Sequence, residues 1–345
     1  MSEFIRRRRH AHDPIWSQQR SREATKGECA TVSDMTPTPP AGLGRAGELF
    51  EIRDGDREAI VTQQGANLYK ARWAGTDLLD TVNDDGYTGG GGHGQLLLPW
   101  PNRIRNGVYE FEGEHFQLPI TDRTHGSAIH GFTHWLTWEV KEHVADRVTL
   151  SCLLLGQPGY PFPLAFEQSY HLRSGALEIS TAATNVGVRT APFGFGAHPY
   201  FKTGTAIVDD SVLQVEASSY FETNEDLSPK VPAVPVDGSV FDFREPRPVG
   251  GTEFDVTLTD LARDEDARAK ANFRSPDGSI SITCKYDEPI RFLQIFSGDT
   301  LASHRREGLA IEPLTCAPNA FNNGVGLIPL APGGTVGVRW TVAAD

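Results

Sequence analysis

A large antiparallel β-sandwich is the fold class that this sequence predicts, on three observations. Short segments alternating apolar with polar or small residues recur along most of the chain, turn-forming Gly, Asn, Asp and Pro lie between them, and helical runs are almost absent. Sheets with one apolar face and no helices to cover it must be covered by other sheets. An all-β sandwich is therefore expected rather than a doubly wound fold. The 345 residues, 39% of them hydrophobic, can bury a sizeable core as one domain or two.

Taken in order, residues 1–43 are polar, charged and proline-containing, with no sustained helix or strand period, which predicts a flexible N-terminal tail. Met35, just ahead of a Thr/Pro-rich stretch, is an alternative start, and Arg6 to Arg9 are read as solvated charge. The folded part is expected to run from Gly44 to the last residue as a single β-sandwich domain, residues 44–345. Its predicted strands are 50–53, 67–73, 107–111, 115–118, 147–155, 167–172, 176–184, 212–217, 279–286, 291–296 and 335–342. The stretch 261–271 is charged and has no convincing apolar face for a helix, and no internal repeat marks a propeller.

Composition narrows function. A formal net charge of -13 opposes attraction to nucleic acid or to an anionic membrane surface. No stretch is apolar enough to span a bilayer and the first residues are no secretory signal, so a cytoplasmic location is the expectation. Cys29, Cys152, Cys284 and Cys316 are far apart with no CxxC, which argues against a zinc ribbon or a disulfide scaffold. Gly89 to Gly92 with Gly94 lack the Gly-Lys-Ser/Thr of a phosphate cradle and are read as a loop whose backbone can approach a ligand closely. His125, His130 and His134 fall within ten residues but without HExxH or a nearby cysteine pair, so a metal site is not expected.

Three segments carry candidate chemistry. In Leu98-Pro99-Trp100-Pro101-Asn102-Arg103-Ile104, two prolines and an Asn-Arg pair suit a rigid approach that presents Arg103, whose guanidinium can donate paired hydrogen bonds to sugar oxygens. Ile129-His130-Gly131-Phe132 and Gly196-Ala197-His198-Pro199-Tyr200-Phe201 pair histidines, which transfer protons near neutral pH, with aromatic faces for sugar C–H groups. In Ala310-Ile311-Glu312-Pro313-Leu314, Glu312 interrupts an apolar β-like run, where burial raises a carboxyl pKa toward the range of a general base.

From about Glu48 onward the sequence resembles the aldose 1-epimerase, or galactose mutarotase, family, most specifically in Asn102-Arg103-Ile104, Ile129-His130-Gly131, the His198 segment and Ile311-Glu312-Pro313. The resemblance implies a single many-stranded β-sandwich (supersandwich), a monosaccharide substrate, and catalysis without metal or organic cofactor. It implies Glu312 as general base, His198 as general acid, and Arg103, His130 and Asp255 as substrate-binding residues. Val256 follows Asp255 where the best-described galactose enzymes carry histidine, and the Leu98 to Asn102 segment looks more like the bacterial mutarotase-like branch, which includes sulfosugar enzymes. The implied reaction interconverts α and β anomers: Glu312 takes the O1 proton while His198, as imidazolium, protonates O5 and the ring opens. The competing readings are a non-catalytic carbohydrate-binding protein of the same fold, a mutarotase for a sulfosugar or hexose 6-phosphate, and a glycoside hydrolase using Asp255 and Glu312. The sequence leaves the aldose and the oligomeric state open.

Overall fold

The structure, a computed structural model, describes residues 42–89 and 91–345, so the expectations for the N-terminal tail fall outside the described residues. Twenty-five strands are present among them, and the single α-helix is the four-residue Ala320–Asn323. The strands form antiparallel sheets of nine, six and four members with three two-stranded ribbons. Across the nine-stranded sheet the order is 247–248, 212–215, 269–274, 281–286, 335–344, 176–185, 164–173, 147–154 and 139–143. The six-stranded sheet runs 200–201, 309–314, 292–296, 255–261, 217–220 and 234–235. No helix among the described residues is long and apolar enough to cross a membrane.

Side-chain alternation explains the packing. In Ala176–Asn185 every second residue, from Leu177 and Ile179 to Ala183, is buried, and in Leu164–Arg173 the inward set is Leu164, Phe166, Gln168, Tyr170 and Leu172. Two polar members of these inward rows meet, Thr181 donating to the Gln168 carbonyl oxygen. One contiguous core joins Ile179 and Ile282 of the nine-stranded sheet, Leu293 and Ile311 of the six-stranded sheet, and Ile52 and Val61 of the four-stranded sheet. Each such side chain, fully removed from water, contributes roughly 1.5–3 kcal/mol. By contrast Leu309–Leu314 is buried at all six positions, as a strand covered on both faces must be, and a carboxyl there meets protein on every side.

Every predicted strand has a counterpart. Residues 212–217 divide at 216 into Val212–Val215 and Ala217–Tyr220, which belong to different sheets. The stretch 261–271 is indeed not helical: it holds the end of the strand Asp255–Leu261 and the start of Ala269–Arg274. The buried thiols Cys152, Cys284 and Cys316 are free, and Cys316 packs where a Cβ on Gly194 would lie 2.4 Å from its sulfur.

Candidate active site

Strand register assembles the centre. Tyr200 pairs with Ala310, and Ala197 donates its N–H to the Pro313 carbonyl at 3.2 Å; the same register sets His198 opposite Glu312. On the other side Glu312 pairs with Gln294, and Gln294 with Thr257. Thr257, Gln294 and Glu312 thus form a row across three neighbouring strands, which His198 extends from the segment leading into Tyr200–Phe201, where directly opposed side chains touch. Gln294 accepts from the Thr257 hydroxyl and donates to Asp255, which tethers the Asp255 carboxyl to this row.

His198 Nε2 lies 3.3 Å from Glu312 Oε1, and the two side chains are 6% and 2% exposed. Each keeps one buried polar atom without a protein partner, His198 Nδ1 and Glu312 Oε2. Burial, reinforced by the charge of Asp255, pushes the Glu312 carboxyl well above its ordinary value, against the opposing pull of Arg103. Burial, with His93 and Arg103 adding to it, pushes His198 down to about 3. Both shifts favour the uncharged forms of the two side chains. The imidazolium expected as the starting state is opposed by this burial. His198 is fixed by stacking on Tyr200, 4.8 Å between ring centroids, and Tyr200 donates its hydroxyl to the Gly91 carbonyl at 2.8 Å. His93 also stacks on Tyr200, at 3.9 Å.

Arg103 opens the three-residue strand Arg103–Arg105, and His130 directly follows the facing strand Ser127–Ile129. Asn102 and His130 bond reciprocally: the His130 N–H donates to the Asn102 carbonyl at 3.1 Å, and the Asn102 N–H donates to His130 Nδ1 at 3.1 Å. His130 Nδ1 is therefore an acceptor, and the hydrogen of its neutral ring sits on Nε2. Burial holds that ring well below its ordinary pKa. Arg103 Nε donates to Asp122 at 2.8 Å, and its Nη1 lies 3.7 Å from Asp255. Asn319 secures this ribbon from the far end of the glutamate segment, donating to the Arg103 carbonyl at 2.8 Å and accepting from the Arg105 N–H at 3.1 Å. Burial raises Asp255 despite Arg103 and Gln294.

All five residues named from sequence thus converge on one connected cluster. Sequence reasoning missed Gln294 and Asp122, and it read Tyr200 as an aromatic face for sugar, whereas the structure stacks it on His198. Gln294 announces itself only as the one polar residue of Phe292–Phe296, and Asp122 only as the start of a tight turn. The His125, His130 and His134 trio does not form one ligand group: His125 is bonded to Asp122, His130 to Asn102, and His134 is buried in the turn Thr133–Trp135. Among the described residues the set that converges closely enough to hold a metal ion is Asp80, His304 and Glu307, beside which Lys202 Nζ already lies 3.3 Å from Asp80 and 3.9 Å from Glu307. A surface concavity of about 550 Å³ lies elsewhere, walled by groups such as Arg339 and Asp287 that are already paired at 2.9 Å and have no buried acid–base couple.

A β-sandwich whose six-stranded sheet carries a buried Glu–His couple beside an Arg–Asp pair matches one family across nearly all its described length: the aldose 1-epimerase family model covers residues 48–342, and the chain belongs to that family. Among its relatives is the uncharacterised protein YihR of Escherichia coli K12, 32% identical over 290 residues, which make up 84% of this chain and 90% of YihR. Human galactose mutarotase is 30% identical over 156 residues, 43% of this chain and 44% of that protein. In fold, the chain is similar to a GalM/aldose epimerase homologue from C. elegans, with a TM-score of 0.79 at 19% identity, covering 86% of this chain and 98% of that one.

Proposed function

We propose that this protein is an aldose 1-epimerase that interconverts the α and β anomers of an aldose by acid–base ring opening. The observation that carries the reading is the buried Glu312–His198 contact at 3.3 Å, with one unpartnered polar atom on each side chain. The reaction uses the carboxylate–imidazolium form of the pair, which neutral Glu312 and His198 reach by passing a proton from the carboxyl to the imidazole. Glu312 then takes the proton of the O1 hydroxyl, the C1–O5 bond breaks with its electron pair going to O5, and His198 delivers its proton there. Rotation about C1–C2 and the reverse transfers close the other anomer. Hemiacetal and open aldehyde are at the same oxidation level, so no redox partner is called for. Arg103 and the Nε2–H of His130 supply donors for oxygen as charge develops, and Asp255 binds hydroxyls.

The test is the initial rate of anomer exchange from a pure anomer, by polarimetry or NMR with the spontaneous rate subtracted, on glucose, galactose, a hexose 6-phosphate and a sulfosugar. Glu312→Gln and His198→Ala are each expected to slow the best substrate by about 10²–10⁴-fold, roughly 3–5 kcal/mol of barrier, while remaining folded by circular dichroism. Near-normal exchange in both folded variants, or a wild type that binds sugar without accelerating exchange, would return the protein to a carbohydrate-binding role.

A further inference from the structure

The geometry points to His125 as a further substrate-binding residue: a hydroxyl-accepting imidazole that Asp122 holds at the outer edge of the Glu312–His198 centre. This rests on the sugar site proposed above and extends it. One carboxylate oxygen, Asp122 Oδ2, accepts from Arg103 Nε at 2.8 Å and from His125 Nδ1 at 2.8 Å, so the imidazole and the guanidinium are tied to a single atom. The second oxygen, Oδ1, accepts the backbone N–H groups of Thr124 at 3.1 Å and His125 at 3.2 Å, which fixes the turn that carries the ring. Within that turn Arg123 and Thr124 are exposed, whereas His125 is half-buried and shares Asp122 Oδ2 with Arg103.

Exposure grades outward along the cluster. Glu312 and His198 are 2% and 6% exposed, Arg103 and Asp122 are 13% and 12%, and Asp255 and His125 are both 28%. The reacting end of a sugar would therefore lie deep, and its remaining hydroxyls would meet the rim that Asp255 and His125 form on either side of Arg103. Tautomers give that rim its polarity. Asp122 offers only acceptors, so His125 Nδ1 must be the donor and the neutral ring presents the Nε2 lone pair; His130, fixed by the Asn102 N–H, presents Nε2–H instead. A hydroxyl both gives and takes a hydrogen bond, and the two imidazoles are set to opposite halves of that exchange.

The experiment compares wild type, His125→Ala, His125→Gln and Thr124→Ala as full chains with D-glucose, D-galactose and their monodeoxy analogues. It reads Kd by NMR titration and kcat and KM by anomer exchange. Expected is an approximately tenfold rise in Kd and KM for His125→Ala, the scale of one neutral hydrogen bond, with kcat within about twofold of wild type. Partial recovery is expected in His125→Gln, whose amide oxygen can still accept, and no change in Thr124→Ala. For one monodeoxy analogue, the one lacking the hydroxyl that His125 binds, the wild type and His125→Ala should bind alike. An equal loss across all analogues would mark a structural role and overturn the inference, as would an unchanged Kd. A wild type that binds sugar without turnover defeats the epimerase reading while the Kd ratios still decide His125; one that binds none of these sugars overturns both.

Discussion

Glu312 and His134 are both buried ionisable groups, and they act on stability in opposite directions as pH changes. His134 is held down to about 4 by burial, so below 6.5 the unfolded chain takes up a proton that the fold refuses, and stability falls as pH drops from 6.5 to about 4. Glu312 is raised, so between 4.5 and its folded value the fold holds a proton that the unfolded chain has lost, and stability falls as pH rises through that window. Each contributes about 1.4 kcal/mol per pH unit inside its window. Urea midpoints from pH 4.5 to 7.5 should show His134→Gln gaining on the wild type toward acid and Glu312→Gln gaining toward neutral pH. Differences that stay flat with pH would contradict the burial argument for either side chain.

At the scale of elements, close backbone approach decides where glycine is indispensable. Gly131 has φ +68, and a Cβ there would stand 2.0 Å from the Leu98 carbonyl oxygen, at the point where residues 98 and 131 bridge in parallel. Gly113 in the 108–117 hairpin also has a positive φ, +80, but a Cβ there meets nothing within 4 Å. Gly113→Ala should therefore lose about 1 kcal/mol, whereas Gly131→Ala should lose several, or fail to fold, and disturb sugar binding through His130; equal denaturation midpoints for the two variants would refute this. The same scale shows what the sequence made legible. Residues 176–184 alternate cleanly and are a strand, because one face is core and the other solvent. Ala269–Arg274, reading AKANFR, escaped notice although it alternates, because Ala, Lys and Asn are weak strand formers; sheet partners on both sides override that propensity. The site residues were legible as chemistry that stands out from its surroundings, a Glu in an apolar run and histidines beside aromatics. Their connection through Gln294 and Asp122 was not, since it depends on the register between strands distant in sequence and on one turn's hydrogen bonds.

For the whole molecule, we propose residues 44–345 as the folding unit, because every core and site residue among those described belongs to it. A chain lacking residues 1–41 should keep a cooperative thermal transition and anomer exchange within about twofold of the full chain; loss of either would show that the segment is needed. The other end of the described fold is different in kind. Thr335–Ala344 lies in the middle of the nine-stranded sheet, bonded to 176–185 on one side and to 281–286 on the other. Made after the other eight strands of its sheet, it is the seam between the sheet's earlier-made and later-made halves. A chain still being synthesised thus carries two unpaired inner strand edges until residues 335–344 emerge, which is the period in which it is most exposed to mispairing with another copy. Slowing translation ahead of residue 335 should lengthen that period, and chaperone dependence should concentrate there.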